Sequence, residues 1–323
     1  MKIIFLTLFS ILLFANDNLT NYLTDYRLNG IDNVEKKMDL QLSKKEYWDN
    51  YLKNIDTTFG YIEKYSSVLT CNKDKSTLNL YKKNKKHKFK LEKKFSAYTG
   101  KKKGDKLTEG DLRTPIGIYD ITKKITKIDA FYGPLAFVTS YPNLYDTYKG
   151  KDGHGIWIHG LPTDQERDEF TKGCIAINNS SLKSLDKKIE IDTTLLIINS
   201  SKVDKNISKK KLSSILSQIY MWRYSWIYSD INKYLSFYSN NFVREDGMNF
   251  DRFKRYKTRI FKKNEKKKII FKNLNVIKYP NTKNIYQVTF QEIYNSNSFS
   301  FKGNKVLIIT LDKKNRLKIF TEK

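Results

Sequence analysis

The sequence predicts an α+β multidomain chain with a helical N-terminal region, a β-rich middle domain and an α+β C-terminal domain. Three observations predict it. The 323 residues exceed what one hydrophobic core usually serves. Helical periodicity is concentrated before residue 70 and returns over Leu212 to Tyr238. Strand-like runs broken by glycine turns fill residues 77–200, and long strand candidates follow residue 267.

Residues 1–15 read as a signal peptide. Lys2 precedes the apolar run Ile3 to Phe14, and Ala15 follows as the cleavage position. The run is short for a membrane span, and no later segment is long and apolar enough to make one, so no stable span is expected after cleavage. Residues 16–74 form the helical region: Tyr22, Leu23, Tyr26 and Leu28 begin it, and Trp48, Tyr51, Leu52 and Ile55 make a later stripe at helical spacing. Asn29-Gly30 and Phe59-Gly60 mark breaks. This segment is too small for its own core, so it is expected to pack on the middle domain or on a second copy of the chain as a homodimer.

In the middle domain, residues 75–200, the best strands are Thr77 to Tyr81, Lys88 to Tyr98, Gly117 to Ile121, Leu135 to Thr139, Gly155 to His159 and Thr194 to Ile198, with a short helix over Ser180 to Lys187. Residues 201–211 are polar and lysine-rich and read as a linker. Residues 212–323 begin with helix, where Ile215, Ile219, Trp222, Trp226 and Ile227 share a broad face. Strands over Lys268 to Tyr279, Ile285 to Ser296, Lys305 to Thr310 and Leu317 to Thr321 follow. Helices followed by a long antiparallel sheet is the NTF2-like order, a cone with one open pocket. Trp222, Tyr224, Trp226 and Tyr228 either line that pocket and stack on sugar rings or form its core, the commoner use of such residues. With no acid/base pair evident, this domain reads as binding rather than catalytic.

The formal charge of +27 suggests an anionic partner. Nucleic acid is not expected: the lysines are scattered, arginine is scarce, and no zinc-finger spacing, phosphate loop or RNA-binding motif occurs. An anionic partner such as an exported cell-wall polymer also suits the charge, and a merely solvated lysine coat is the alternative. No metal or other cofactor is implied, because no ligand cluster is present.

Chemistry concentrates in Asp152-Gly153-His154-Gly155-Ile156-Trp157-Ile158-His159-Gly160 and Thr171-Lys172-Gly173-Cys174. A cysteine nucleophile needs its thiolate, which a nearby imidazole promotes. His154 and His159 are an odd number apart, so a regular strand points them to opposite sides. His159, at the strand end beside Gly160 and on the Trp157 face, is the candidate partner of Cys174. Gly173 lets the chain bend so that the sulfur stays accessible. The alternative is a structural cysteine among packing histidines. Cys71 reads as a free thiol near a domain boundary, and His87 as an exposed turn residue.

The pattern His159-Gly160, a variable loop, then Thr171-Lys172-Gly173-Cys174 resembles the L,D-transpeptidase (YkuD-type) catalytic domain family. A second block looks similar to that family's Thr-Pro-x-Gly region: Tyr98-Thr99-Gly100 through Gly110-Asp111-Leu112-Arg113-Thr114-Pro115-Ile116-Gly117-Ile118-Tyr119. The resemblance covers roughly residues 75–200. The whole layout resembles the cell-shape-determining periplasmic L,D-carboxypeptidases of helical Gram-negative bacteria. That implies a β-rich YkuD-type catalytic domain, an NTF2-like C-terminal domain, a periplasmic location and peptidoglycan muropeptides as substrate.

It also implies removal of terminal D-alanine from tetrapeptide stems through a cysteine thioester, with Cys174 as nucleophile, His159 as base and the Gly160 carbonyl orienting the imidazole. The resemblance leaves two alternatives: 3–3 cross-linking by transpeptidation, or a non-catalytic wall-binding scaffold. Candidate substrate contacts are His154, Trp157, Thr171, Lys172, Gly173, Ala176 and Arg167. Ala176 stands where the family usually has arginine, and Arg167 or Lys172 is a candidate replacement cation.

Overall fold

The computed structural model describes residues 19–163, 169–201 and 205–323, so the expected signal peptide lies outside the described residues. Helix α1 (19–29) ends at Gly30, whose φ of 77° is the left-handed conformation that breaks a helix. Helices α2 (Ile31–Leu42) and α3 (Lys45–Tyr51) follow. Trp48 and Leu52, from the predicted stripe, enter the core of the C-terminal domain. Trp48 packs at 5.2 Å between centroids on Tyr220, and Asp39 pairs with Arg223 at 3.1 Å. The helical region therefore packs on the C-terminal domain rather than on the middle domain, the first of the two expected partners. The stripe finds its counterpart in the long apolar helix that opens that domain.

The helical reading of 16–74 is also corrected at its end, which holds strands β1 (Tyr61–Ile62) and β2 (Ser67–Asn72). β2 is buried at every position but its last, so it lacks the alternation that reveals a strand. The chain continues through β3 (Thr77–Lys83), β4 (Phe89–Ser96), β5 (Gly117–Ile125), β6 (Ala136–Thr139), α4 (Leu144–Tyr148), β7 (Trp157–His159), β8 (Ile175–Ala176), α5 (Asn179–Asp186) and β9 (Thr194–Asn199). These form one sheet in the order β4-β3-β2-β9-β5-β6-β7-β8, antiparallel except for the pairs β2–β9 and β7–β8. β7 starts later than predicted because Gly153 and Gly155 take φ of 85° and 70°, outside the strand region.

The C-terminal domain comprises α6 (Lys209–Ile227), α7 (Ile231–Ser236), α8 (Phe250–Phe261), β10 (Lys267–Lys278), β11 (Ile285–Ser296), β12 (Ser300–Leu311) and β13 (Leu317–Glu322). The predicted linker is shorter than 201–211: Ile207 is already buried in this core and α6 begins at Lys209. Helix α8 escaped prediction because only Phe253, Lys257 and Phe261 of its lysine- and arginine-rich sequence are buried. The sheet order is β1-β10-β11-β12-β13, so the segment before the eight-stranded sheet supplies an edge strand to the C-terminal one. A separate apolar cluster joins the two sheets, with Phe59, Val68, Ile118 and Ile197 meeting Ile277 and Tyr279.

Candidate active site

The site is built at the far edge of the eight-stranded sheet. β7 and β8 run parallel with Ile158 opposite Ile175 and His159 opposite Ala176. Paired residues project to the same face, and side chains repeat every two residues. Cys174 immediately precedes β8, in the turn that leads into the strand paired with the one carrying His159. His154 precedes β7, and its side chain is 80% exposed, 3.6 Å from the Glu109 carboxylate. His154 stays at the rim, next to Gly155, whose carbonyl accepts from the Cys174 thiol at 3.4 Å.

His159 is 1% exposed. Its Nδ1 lies 2.7 Å from the Gly160 carbonyl oxygen. A carbonyl only accepts, so Nδ1 carries a proton in this contact, and in the neutral imidazole Nε2 then keeps its lone pair. Tyr132 packs edge-on against the imidazole at 5.1 Å and against Trp157 at 5.3 Å, which fixes the ring and makes half-buried Trp157 part of the same wall. Gly160 has to be glycine: a Cβ there would sit 2.2 Å from Asn179 Oδ1.

The turn that carries Cys174 is held by Thr171, which is buried. Its hydroxyl donates to the Cys174 carbonyl at 2.7 Å and accepts from the Gly173 N–H at 3.0 Å. The Gly173 N–H is thereby engaged within the turn. Gly173 takes φ of 141°, and a Cβ would meet the Arg113 carbonyl at 3.0 Å. The two motif blocks thus meet in space. Tyr98 exchanges backbone hydrogen bonds with Ala176 at 2.8 and 2.9 Å, Thr171 N donates to Thr99 at 2.9 Å, and Gly100 N donates to the Thr114 hydroxyl at 2.8 Å.

Buried charges brace this loop. Lys151 bridges Asp146 at 2.8 Å and Asp105 at 2.7 Å, and Lys73 donates to the carbonyls of Gly104 and Thr114. Burial pushes the Asp111 carboxyl up, but hydrogen bonds from Leu107, Arg113, Lys106 and Thr108 outweigh it and hold the group at about 2.

Of the other predicted residues, Lys172 is exposed beside the turn, and Ala176 is fully buried, so it fills space rather than presenting surface. Arg167 lies outside the described residues. Cys71 sits in the core of β2, where burial pushes its thiol up to about 12. Sequence reasoning missed Tyr132, Asn179 and the Asp105–Lys151–Asp146 cluster. Only Asn179 left a signal, in the Asn178-Asn179 pair at the start of α5, where Asn178 caps the helix by accepting from Ser181 N at 2.7 Å. No group of three or more His, Cys, Asp or Glu suited to a metal occurs among the described residues.

The C-terminal domain carries a pocket of about 460 Å³, lined among others by Trp226, Tyr256, Lys257, Glu292, Tyr294 and Lys305. Of the four aromatic candidates only Trp226 lines it. Trp222 is core, and Tyr224 packs on Tyr228 at 4.4 Å. Burial lowers Lys257 to about 8 and raises the Glu292 carboxyl, so the pocket is lined by buried titratable groups that the sequence did not reveal.

The L,D-transpeptidase catalytic domain (YkuD) family model matches residues 66–198, and the Cds6 C-terminal NTF2-like domain model matches residues 214–323. The chain is similar to the crystal structure of the helical cell shape determining protein Pgp2 from Campylobacter jejuni. The two share 35% identity at a TM-score of 0.79, covering 87% of this chain and 99% of that one. A mutant form of the same Pgp2 matches at a TM-score of 0.81, again with 35% identity, covering 88% and 99% of the two chains. Bd1075 of Bdellovibrio bacteriovorus is 25% identical at a TM-score of 0.65, covering 83% and 97% of the two chains. YafK of Escherichia coli (strain K12), assigned by name to the L,D-transpeptidases, is 30% identical over 82 residues; the match spans 25% of this chain and 30% of that protein.

Proposed function

This chain belongs to the family of the helical cell shape determining protein Pgp2, and on that premise we propose that it is a peptidoglycan L,D-carboxypeptidase that trims tetrapeptide stems to tripeptides and so affects cell shape. The observation that carries the chemistry is the β7–β8 register, which supports a Cys174/His159 dyad with Gly160 as orienting group. His159 Nε2 takes the thiol proton as Sγ attacks the carbonyl between the L-centre of meso-diaminopimelate and D-alanine. Backbone N–H groups around Cys174 hold the oxyanion. The C–N bond breaks, the imidazolium hands its proton to the departing amine, and a thioester remains. Water, deprotonated by the same imidazole, attacks the thioester, releasing the tripeptide carboxylate and the Cys174 thiol. No metal is required by this scheme.

Ala176 in place of the family's arginine favours water over an amine acceptor, and Lys172 at the mouth is the candidate replacement cation. The enzyme is exported by residues 1–15 to the periplasm, and the C-terminal pocket holds the wall polymer. The exposed Leu19, Leu23, Tyr26, Leu28 and Ile31 support a second copy of the chain as partner of the N-terminal helices. A second reading, 3–3 transpeptidation, is favoured by the match to the L,D-transpeptidase domain. Incubating purified protein with tetrapeptide and pentapeptide muropeptides and weighing the products tests both: tripeptides support the proposal, cross-linked dimers the alternative, and no product with either removes the enzyme assignment.

A further inference from the structure

The orienting hydrogen bond at His159 depends on a single peptide unit, and that unit has its own clamp. Gly160 C=O and Leu161 N–H belong to one planar peptide group, in which a trans arrangement points them in opposite directions. Fixing the N–H therefore fixes the carbonyl. Asn179 Oδ1 accepts from Leu161 N at 2.9 Å, and Asn179 Nδ2 donates to Leu161 O at 3.0 Å, so one amide grips two successive peptide units. The fit is close enough to dictate neighbouring residues. A Cβ on Gly160 would lie 2.2 Å from Asn179 Oδ1, and one on Gly133 would lie 2.5 Å from the same atom. Gly160 N also donates to Tyr132 O at 2.8 Å, which ties the other side of the glycine to the segment whose ring packs on the imidazole.

We infer that Asn179, at the first turn of α5, is a positioning residue that sets the His159 tautomer through the Gly160–Leu161 peptide. The inference rests on the Cys174/His159 reading above and adds to it a residue that touches neither sulfur nor imidazole. Without the clamp the peptide unit can turn, the Gly160 carbonyl leaves Nδ1, and the proton is no longer held there. A share of His159 then carries its proton on Nε2, where it cannot accept from the thiol.

The test compares wild type, Asn179→Ala and Leu185→Ala. The last removes a fully buried α5 side chain and controls for a general loss of stability. Nitrogen-15 NMR of the imidazoles is tractable because the chain has three histidines. It should find His159 as the Nδ1–H tautomer in wild type and in Leu185→Ala, and a mixture in Asn179→Ala. Cys174 alkylation by iodoacetamide at neutral pH should slow roughly tenfold in Asn179→Ala, the worth of one net hydrogen bond. kcat on tetrapeptide muropeptide should fall by up to about 100-fold with KM held. An unchanged tautomer, or equal changes in Leu185→Ala, would overturn the inference. The NMR and alkylation measurements use no muropeptide, so they stand if the carboxypeptidase reading fails. Normal turnover in wild type with an unshifted tautomer in Asn179→Ala sinks the inference alone.

Discussion

The Thr171 hydroxyl donates to the carbonyl of Cys174, three residues on, at 2.7 Å, and accepts from the Gly173 N–H between them. One buried side chain thus closes the turn that presents the nucleophile. Thr171→Val keeps the shape and removes both bonds, leaving a buried donor and acceptor unpaired at a cost of about 1–3 kcal/mol each. Thermal melting should show that loss, and turnover should fall further than stability alone explains. Gly173→Ala should be inactive, because at φ of 141° its Cβ meets the Arg113 carbonyl, a backbone atom with little room to yield.

The two thiols differ in accessibility. Native protein treated with iodoacetamide should gain one adduct by mass, at Cys174, while Cys71 reacts only after unfolding, because burial holds its thiol at about 12. Cys174→Ala should fold normally and make no product. Early labelling of Cys71 would mean that β2 opens readily.

The histidines are distinguished by burial, with His159 enclosed and His154 exposed ahead of β7. His159→Ala should abolish turnover and slow Cys174 alkylation, whereas His154→Ala, altering an exposed rim residue, should reduce turnover only severalfold. Inactive His154→Ala beside active His159→Ala would exchange their roles.

The Asp111 carboxyl gives the loop behind the nucleophile a dependence on pH. Its folded value, about 2, lies below the ordinary 3.8, so its stabilisation is complete above pH 3.8 and is lost as pH falls through about 2. Amide exchange at Leu107, Thr108 and Arg113 should accelerate across that window. Asp111→Asn should exchange faster at neutral pH and lose most of the acid dependence.

Product analysis addresses reaction choice. Tetrapeptides should lose D-alanine, and 3–3 dimers should stay scarce even at high acceptor concentration, because holding a second stem against competing water needs dedicated contacts. Abundant dimers would transfer the assignment to transpeptidation. Deleting residues 202–323 is a poor way to isolate the catalytic domain: β1 pairs with β10, and the sheet-joining cluster would lose Ile277 and Tyr279.

Local pattern carried much of this protein. The predicted β11, Ile285 to Ser296, is observed with those bounds, and β3, β4, β9 and β13 lie within a few residues of theirs, because alternation and glycine turns are local signals. The pairing of His-Gly with Thr-x-Gly-Cys was equally legible, since spacing is a property of the chain. β2 was not legible because it is buried on both faces; α8 does carry a stripe at helical spacing, Phe253, Lys257 and Phe261, but a cation stands at its centre.

The sequence by itself determined the three-part order of the chain, the candidate nucleophile and base, and the glycines beside them. Only the tertiary structure decided that the N-terminal helices pack on the C-terminal domain, that Gly173 N–H is engaged by Thr171, that Trp226 alone among the four aromatics lines the pocket, and that Asn179 grips the peptide behind His159. Three of these are contacts between residues distant in sequence, whose adjacency is set by sheet register and packing, and residue spacing along a chain carries no record of either. The fourth, between Thr171 and Gly173, is local but depends on the backbone conformation the turn adopts.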